Sequence, residues 1–283
     1  MFNGCAYILT VDVGNTFIRF GLFAEDSAAA QECPLATCEI TTPSSITADE
    51  ARMRLAQVMG ALSADAGMPG ALVPAAAVLS CVVPALERPW KAALSRTCTG
   101  RVLTVGPGLK TGMPVHYDDP AEIGPDRIAD AVAARAVYGS PCIVIDLGTT
   151  TNIEVIDARG TFVGGVIAPG LALGARSLSA AAARLPQVEP SAPTHVIGRN
   201  TREAMRSGVV LGEVARIDGM LDMVLAEMRA TKAAGEGGVP IVITGDDAEA
   251  LAALVGHSLT VDDALTLRGL AELYRINQKP RRA

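Results

Sequence analysis

Two stretches half a chain apart repeat one short pattern: an apolar run, Asp-X-Gly, small polar residues, then a second apolar run. The first is Tyr7–Phe23, YILTVDVGNTFIRFGLF, where Asp12-Val13-Gly14 leads into Asn15-Thr16. The second is Cys142–Asp157, CIVIDLGTTTNIEVID, where Asp146-Leu147-Gly148 leads into Thr149, Thr150, Thr151 and Asn152. Each predicts a strand, a tight polar turn and a second strand. A single hairpin of this kind is ordinary, because Asp and Gly are common turn formers. Two of them, each at the start of a half, predict two related α/β halves. The turn also has a chemistry of its own. Gly148 lets the backbone approach a ligand, and the threonines and asparagine offer donors that suit phosphate oxygens. A carboxylate such as Asp146 can hold a cation that neutralises those oxygens.

The rest of the chain alternates strand and helix signals. Strands are expected at Ala36–Thr41, Ala75–Val83, Arg101–Val105 and Pro240–Asp246. Helices are expected after Thr47, where Glu50 three residues on completes a capping box, and over Ala85–Thr97, Ala175–Arg184 and Leu265–Tyr274. This alternation predicts an α/β fold with mixed sheets. Gly124-Pro125 opens a further helix with an apolar face at 128, 132, 133, 136 and 137, which puts Asp126 in its first turn beside Arg127. The helix dipole favours an ionised Asp126 there, and helix stabilisation alone would also account for it. Gly164-Gly165 and Pro169-Gly170 mark either tight turns or a close approach to a ligand. The longest helix is expected from Thr201 to Met228. Its apolar residues at 210, 214, 217, 221, 224 and 228 read either as an ordinary core stripe or as a helix-pair dimer face.

At 283 residues the chain has room for two medium domains, each with its own core. A hydrophobic fraction of 49% against 19% charged residues marks a globular chain. The net charge of −6, with no basic patch beyond the Lys279–Arg282 tail, argues against a nucleic-acid surface. The six cysteines form no CxxC pair and the three histidines stand apart, which argues against a zinc site or a disulfide framework. The N-terminal stretch lacks a basic leader pattern, and no run of 18 apolar residues is present. A reduced, cytoplasmic protein with no membrane contact is therefore expected.

These pieces resemble, in order and over nearly the whole chain, the type III pantothenate kinases, within the sugar kinase, Hsp70 and actin superfamily. The matching motifs are DVGNT (12–16), TADE (47–50), SCVVP (80–84), VGPGLKTG (105–112), YDDPAEIGPDRIAD (117–130), DLGTTT (146–151), GGVIAPG (164–170), GRNT (198–201) and ITG (243–245). The resemblance implies two ribonuclease H-like domains facing a central cleft, divided here at 1–115 and 116–283. It implies ATP-dependent phosphorylation of pantothenate, the first step of coenzyme A synthesis. Asp12, Val13, Gly14, Asn15, Thr16, Phe17, Ile18 and Arg19 then look like the first ATP-phosphate loop, with Thr149 as a second phosphate contact. Asp146 resembles the ligand of an activating monovalent cation, potassium or ammonium. Tyr117, Gly124, Pro125, Asp126 and Arg127 resemble the pantothenate-binding set, with Asp126 as catalytic base and Thr201 as a substrate contact near a dimer interface. ATP with Mg2+ and a homodimer are implied as well.

The chain departs from the family pattern at Asn152, Glu154 and Asp246, and at Ala182–Pro186. Asp246 puts a carboxylate where the adenosine side is expected. The same motifs would suit a silent homologue acting as a regulator, or another small-molecule kinase of the superfamily. Retention of Asp12, Asp126, Arg127, Asp146 and Thr201 together favours the pantothenate kinase.

Overall fold

The computed structural model describes residues 6–25, 33–70 and 72–278. The N-terminal leader region, Cys5 and the Lys279–Arg282 tail lie outside the described residues. The chain forms two compact units, one holding the described residues up to Gly139 together with those from Ala264 onward, the other Ser140–Asp263. The first unit thus extends beyond the division expected at residue 115 and also takes in the C-terminal helix.

In the first unit, β1 (Tyr7–Val13) is buried along its whole length. A continuous apolar run of this kind suits a central strand covered on both faces. It pairs antiparallel with β2 (Phe17–Ala24), which pairs antiparallel with β3 (Ala36–Thr41). On its other side β1 runs parallel to β4 (Ala76–Cys81), and β4 to β5 (Val102–Thr104), giving the order β3-β2-β1-β4-β5. One face is covered by α1 (Ala48–Asp65) and α2 (Pro84–Thr97). The predicted capping box starts α1: Glu50 N–H donates to Thr47 Oγ1 at 3.2 Å, and Thr47 N–H donates to Glu50 Oε2 at 2.8 Å. Leu55 and Leu62 of α1 and Leu86 and Trp90 of α2 pack with Val11, Val13 and Phe20 in one core. The Trp90 and Phe20 rings meet edge-on, 5.7 Å apart.

The unit's other two long helices are α3 (Pro125–Tyr138) and α8 (Leu265–Ile276). They pack backbone to backbone: a Cβ on Gly269 would lie 1.9 Å from the Ala129 carbonyl oxygen. Leu267 and Ala271 of α8 pack with Phe23 of β2. This anchors α3, and with it Asp126, to the first sheet's unit.

The second unit repeats the plan. β6 (Cys142–Leu147) is central, antiparallel to β7 (Thr150–Ile156) and parallel to β9 (Ile241–Gly245). β8 (Phe162–Pro169) and β10 (Thr260–Val261) complete the order β10-β9-β6-β7-β8. Counted outward from β6, the directions match those counted outward from β1, so the duplication expected from the two Asp-X-Gly hairpins holds at the level of topology. Its helices are α4 (Leu171–Ala181), α5 (Thr201–Arg206), α6 (Gly212–Ala230) and α7 (Ala248–Ala252).

Two local expectations change, and one pair of alternatives is decided. The helix expected over Ala175–Arg184 starts earlier, directly after Gly170, and ends at Ala181. The single helix expected from Thr201 is α5 and α6 joined by a π-helical segment, Ser207–Leu211. The apolar stripe on that rod belongs to its own unit's core. Val210, Val214, Ile217, Leu221 and Met228 pack with Ile143, Ile145 and Ile243 of the sheet, and Leu221 is fully buried. The stripe therefore supplies no dimer face. Leu221→Lys is expected to unfold this unit rather than to split an oligomer. It should cost at least the roughly 2–5 kcal/mol of a core leucine truncation, with a buried charge added. Thermal denaturation followed by circular dichroism checks this, and a near-wild-type midpoint would contradict it.

Candidate active site

Both Asp-X-Gly carboxylates sit one residue before the end of a central strand. Asp12 stands opposite Arg19 on β2 and beside Ser80 on β4. Asp146 stands opposite Asn152 on β7 and beside Thr244 on β9. The turns after them are short and exposed in the first case, where Asn15 and Thr16 face solvent. Gly14 N–H donates to the Phe17 carbonyl at 3.0 Å. Thr42 fixes this turn from behind: its Oγ1 donates to the Gly14 carbonyl at 2.7 Å and its N–H to the Thr16 carbonyl at 2.9 Å. Thr42 carries no signal in the sequence, because its role depends on where β3 returns.

Asp12 is buried, and its Oδ1 has no hydrogen-bond partner. Burial, and then the charge of Asp126, push its pKa up to about 6. Asp12 and Asp126 therefore share one electrostatic environment within the first unit. Asp126 lies in the first turn of α3, where its Oδ1 accepts the Arg127 N–H at 2.8 Å. Burial raises its pKa, and the Arg127 backbone and guanidinium hold it down in part. Gly124 is required for this arrangement, since a Cβ there would lie 2.4 Å from Asp126 Oδ1. Arg127 is buried and Tyr117 is half-buried. Arg19 Nε donates to Glu39 Oε2 at 3.0 Å.

A cavity of about 350 Å³ adjoins the start of α3. Val105, Pro107, Leu109, Ile123, Pro125 and Ile128 line it, with Gly106 and Gly108. Its walls are mostly apolar, and Pro125 joins it directly to Asp126. The VGPGLKTG segment, which the sequence offers only as one of the matching motifs, is thus part of the pocket. That contribution was readable only as a Gly-rich motif of unassigned purpose.

The second turn is tighter than expected. It comprises Gly148 and Thr149 alone, while Thr150, Thr151 and Asn152 belong to β7. Thr151 and Asn152 are buried and pair with Leu147 and Asp146 in the ladder, so they are not free donors in a loop. The close approach foreseen at Pro169-Gly170 is to the turn itself. Gly170 N–H donates to the Thr149 carbonyl at 3.1 Å, and a Cβ on Gly170 would lie 2.2 Å from the Gly148 oxygen. On the other flank Gly245, with φ of +91°, leaves no room for a Cβ, which would lie 2.8 Å from Asp146 Oδ1. Asp246 follows immediately, and its N–H donates to the Leu147 carbonyl. The Asp246 substitution therefore sits at the same sheet end as Asp146. Thr201 is exposed at the start of α5, directly after the N-cap Asn200. Asp12–Arg19, Tyr117 and Gly124–Arg127 thus fall in the first unit, and Asp146, Thr149 and Thr201 in the second. Among the described residues no helix is long and apolar enough to cross a membrane, and no three His, Cys, Asp or Glu side chains cluster as a metal site.

Comparison with known proteins bears on the fold and the family. The chain resembles a conserved Baf family protein of Campylobacter jejuni (TM-score 0.56, 18% identity, 95% of this chain and 98% of that one). It also resembles the ROK hexokinase of Thermus thermophilus (TM-score 0.50, 13% identity, 96% and 100%). At such identities these similarities establish the fold. The family model for type III pantothenate kinase matches residues 8–223. The type III pantothenate kinase of Koribacter versatilis is 37% identical over 275 residues, covering 96% of each chain. The type III pantothenate kinase 2 of Symbiobacterium thermophilum is 40% identical over 275 residues, covering 96% of this chain and 97% of the other. With the Asp-X-Gly hairpins, the Gly124–Arg127 turn and a match along nearly the full length, this chain belongs to the type III pantothenate kinase family.

Proposed function

We propose that the chain transfers the γ-phosphoryl group of ATP to the primary 4′-hydroxyl of pantothenate, opening coenzyme A synthesis in the cytoplasm. The observation that carries this reading is Asp126, partly buried in the first turn of α3 beside an apolar cavity and facing the charge of Asp12. Phosphoryl transfer asks a protein mainly to position groups and neutralise charge. Asp126 accepts the hydroxyl proton late in the transfer, and burial makes it a better base than an ordinary carboxylate. Arg127 orients the anionic substrate. The cavity lined by Val105, Ile123 and Ile128 suits the apolar middle of a branched hydroxy acid.

The residues from Asp12 to Arg19 hold the ATP phosphates, with Thr149 as a second contact. The partnerless Oδ1 of Asp12 fits a role in holding Mg2+ with the nucleotide, since magnesium commonly takes one or two carboxylates together with phosphate oxygens and water. When bound, the metal supplies neutralisation of phosphate charge. Asp146 holds a monovalent cation, and Thr201 completes the pantothenate site near the interface of a homodimer. In a coupled assay, ADP release should depend on pantothenate. Release that is equal with and without pantothenate would refute the assignment.

The cation reading has its own test. Activity should rise with potassium or ammonium and far less with sodium, and Asp146→Asn should flatten that response. A wild-type enzyme indifferent to potassium over a wide range would remove Asp146 from this role and leave the kinase reading intact.

A further inference from the structure

Glu213 is 4% exposed in the first turn of α6, and no part of the reading above uses it. A buried carboxylate requires partners, and it has two. Thr151 Oγ1 on β7 donates to Glu213 Oε1 at 2.6 Å, and Arg216 Nη2 donates to Glu213 Oε2. The same guanidinium nitrogen donates to the Pro169 carbonyl, one residue before Gly170. Gly170 in turn donates to the Thr149 carbonyl and lies against Gly148. The network therefore grips the Gly148–Thr149 turn from both flanks, through β7 two residues beyond Thr149 and through the elbow between β8 and α4.

Stability alone is a poor account of this network. Glu213 is buried while the Arg216 side chain is 34% exposed. An ion pair that takes a carboxylate out of water is often no better than apolar side chains of the same volume, and its clearest use is to specify geometry. The local backbone points the same way. The π-helical segment Ser207–Leu211 directly precedes α6, and an extra residue in one turn resets the rotational phase of the helix that follows. Glu213 faces β7 in that phase. The rod begins at Thr201, so the turn and the start of α5 are tied to one continuous helical segment.

We propose that Thr151, Glu213 and Arg216 are positioning residues that fix the Gly148–Thr149 turn for ATP. This rests on the reading of Thr149 as a phosphate contact. The test is steady-state kinetics of the full chain carrying Thr151→Val, Thr151→Ser, Glu213→Gln or Thr149→Ala, with ATP and pantothenate varied separately. Thr151→Val keeps the shape and loses the donor, and it should raise the KM for ATP about tenfold, equivalent to about 1.4 kcal/mol. The KM for pantothenate should stay within about twofold, because only the nucleotide side is displaced. Thr151→Ser restores the donor and should recover most of the loss. Glu213→Gln weakens the hold on Arg216 and should shift the same constant in the same direction. It serves as the deciding variant if Thr151→Val does not fold. A purely structural role would lower the melting temperature and leave the KM for ATP unchanged. If Thr149→Ala raises the KM for ATP and folded Thr151→Val and Glu213→Gln do not, the positioning role is wrong. If Thr149→Ala has no effect on ATP, the phosphate-contact reading fails, and the positioning role falls with it.

Discussion

Asp126→Asn is expected to fold normally and to lose turnover by roughly a hundredfold or more, the scale of a missing general base. The variant keeps the side-chain shape and an oxygen for the Arg127 N–H, so the first turn of α3 should persist. It also removes a charge that burial disfavours, so stability should not fall. The wild-type enzyme should show an acidic limb in kcat above the range of an ordinary carboxylate, and the variant should lack it. Turnover close to wild type in folded Asp126→Asn would remove Asp126 from the catalytic role.

Asp12→Asn should separate stability from activity. The carboxyl of Asp12 titrates near 6 in the folded chain against 3.8 ordinarily, chiefly because it is buried. Between those values the folded state holds the proton more tightly than the unfolded state, so stability falls as pH rises from about 4 to about 6 and then levels off. Above that window the ligand-free protein carries a penalty on the order of 2–3 kcal/mol at this one site. Asp12→Asn removes the penalty. It should melt higher than wild type at pH 8, equal it near pH 4, and lose most activity because it lacks the carboxylate that would hold Mg2+ with the nucleotide. Binding of Mg·ATP should raise the wild-type melting temperature at pH 8 far more than that of the variant. Equal pH dependence of the two melting temperatures would show that Asp12 is not strained by its burial.

The duplicated hairpins were legible because strand, turn and strand are set by local pattern, and β1, β2, β6 and β7 all form where that pattern lies. Asp126 was legible for a related reason: Gly124-Pro125 states a helix start without reference to anything distant. What escaped is non-local. The unit boundary moved because α8 returns from the far end of the chain to pack on α3, and the contact rests on Gly269 meeting Ala129. The periodicity of 210–228 identified a buried stripe but not its partner, which proved to be β6 and β9. Thr151 read as a turn donor because sequence gives no sign that β7 starts at Thr150, nor that Glu213 waits 62 residues on. Thr42 behind Gly14 belongs to the same class.

The most direct measurement is mass and 31P NMR analysis of the product formed from ATP and pantothenate by the wild-type chain, with Asp126→Asn in parallel. One phosphoryl group should be added at the primary 4′-hydroxyl of pantothenate, with ADP in equal amount, and the variant should yield almost none. ATP consumption that leaves pantothenate unmodified, or equal product from the variant, would contradict the assignment of this chain as a pantothenate kinase acting through Asp126.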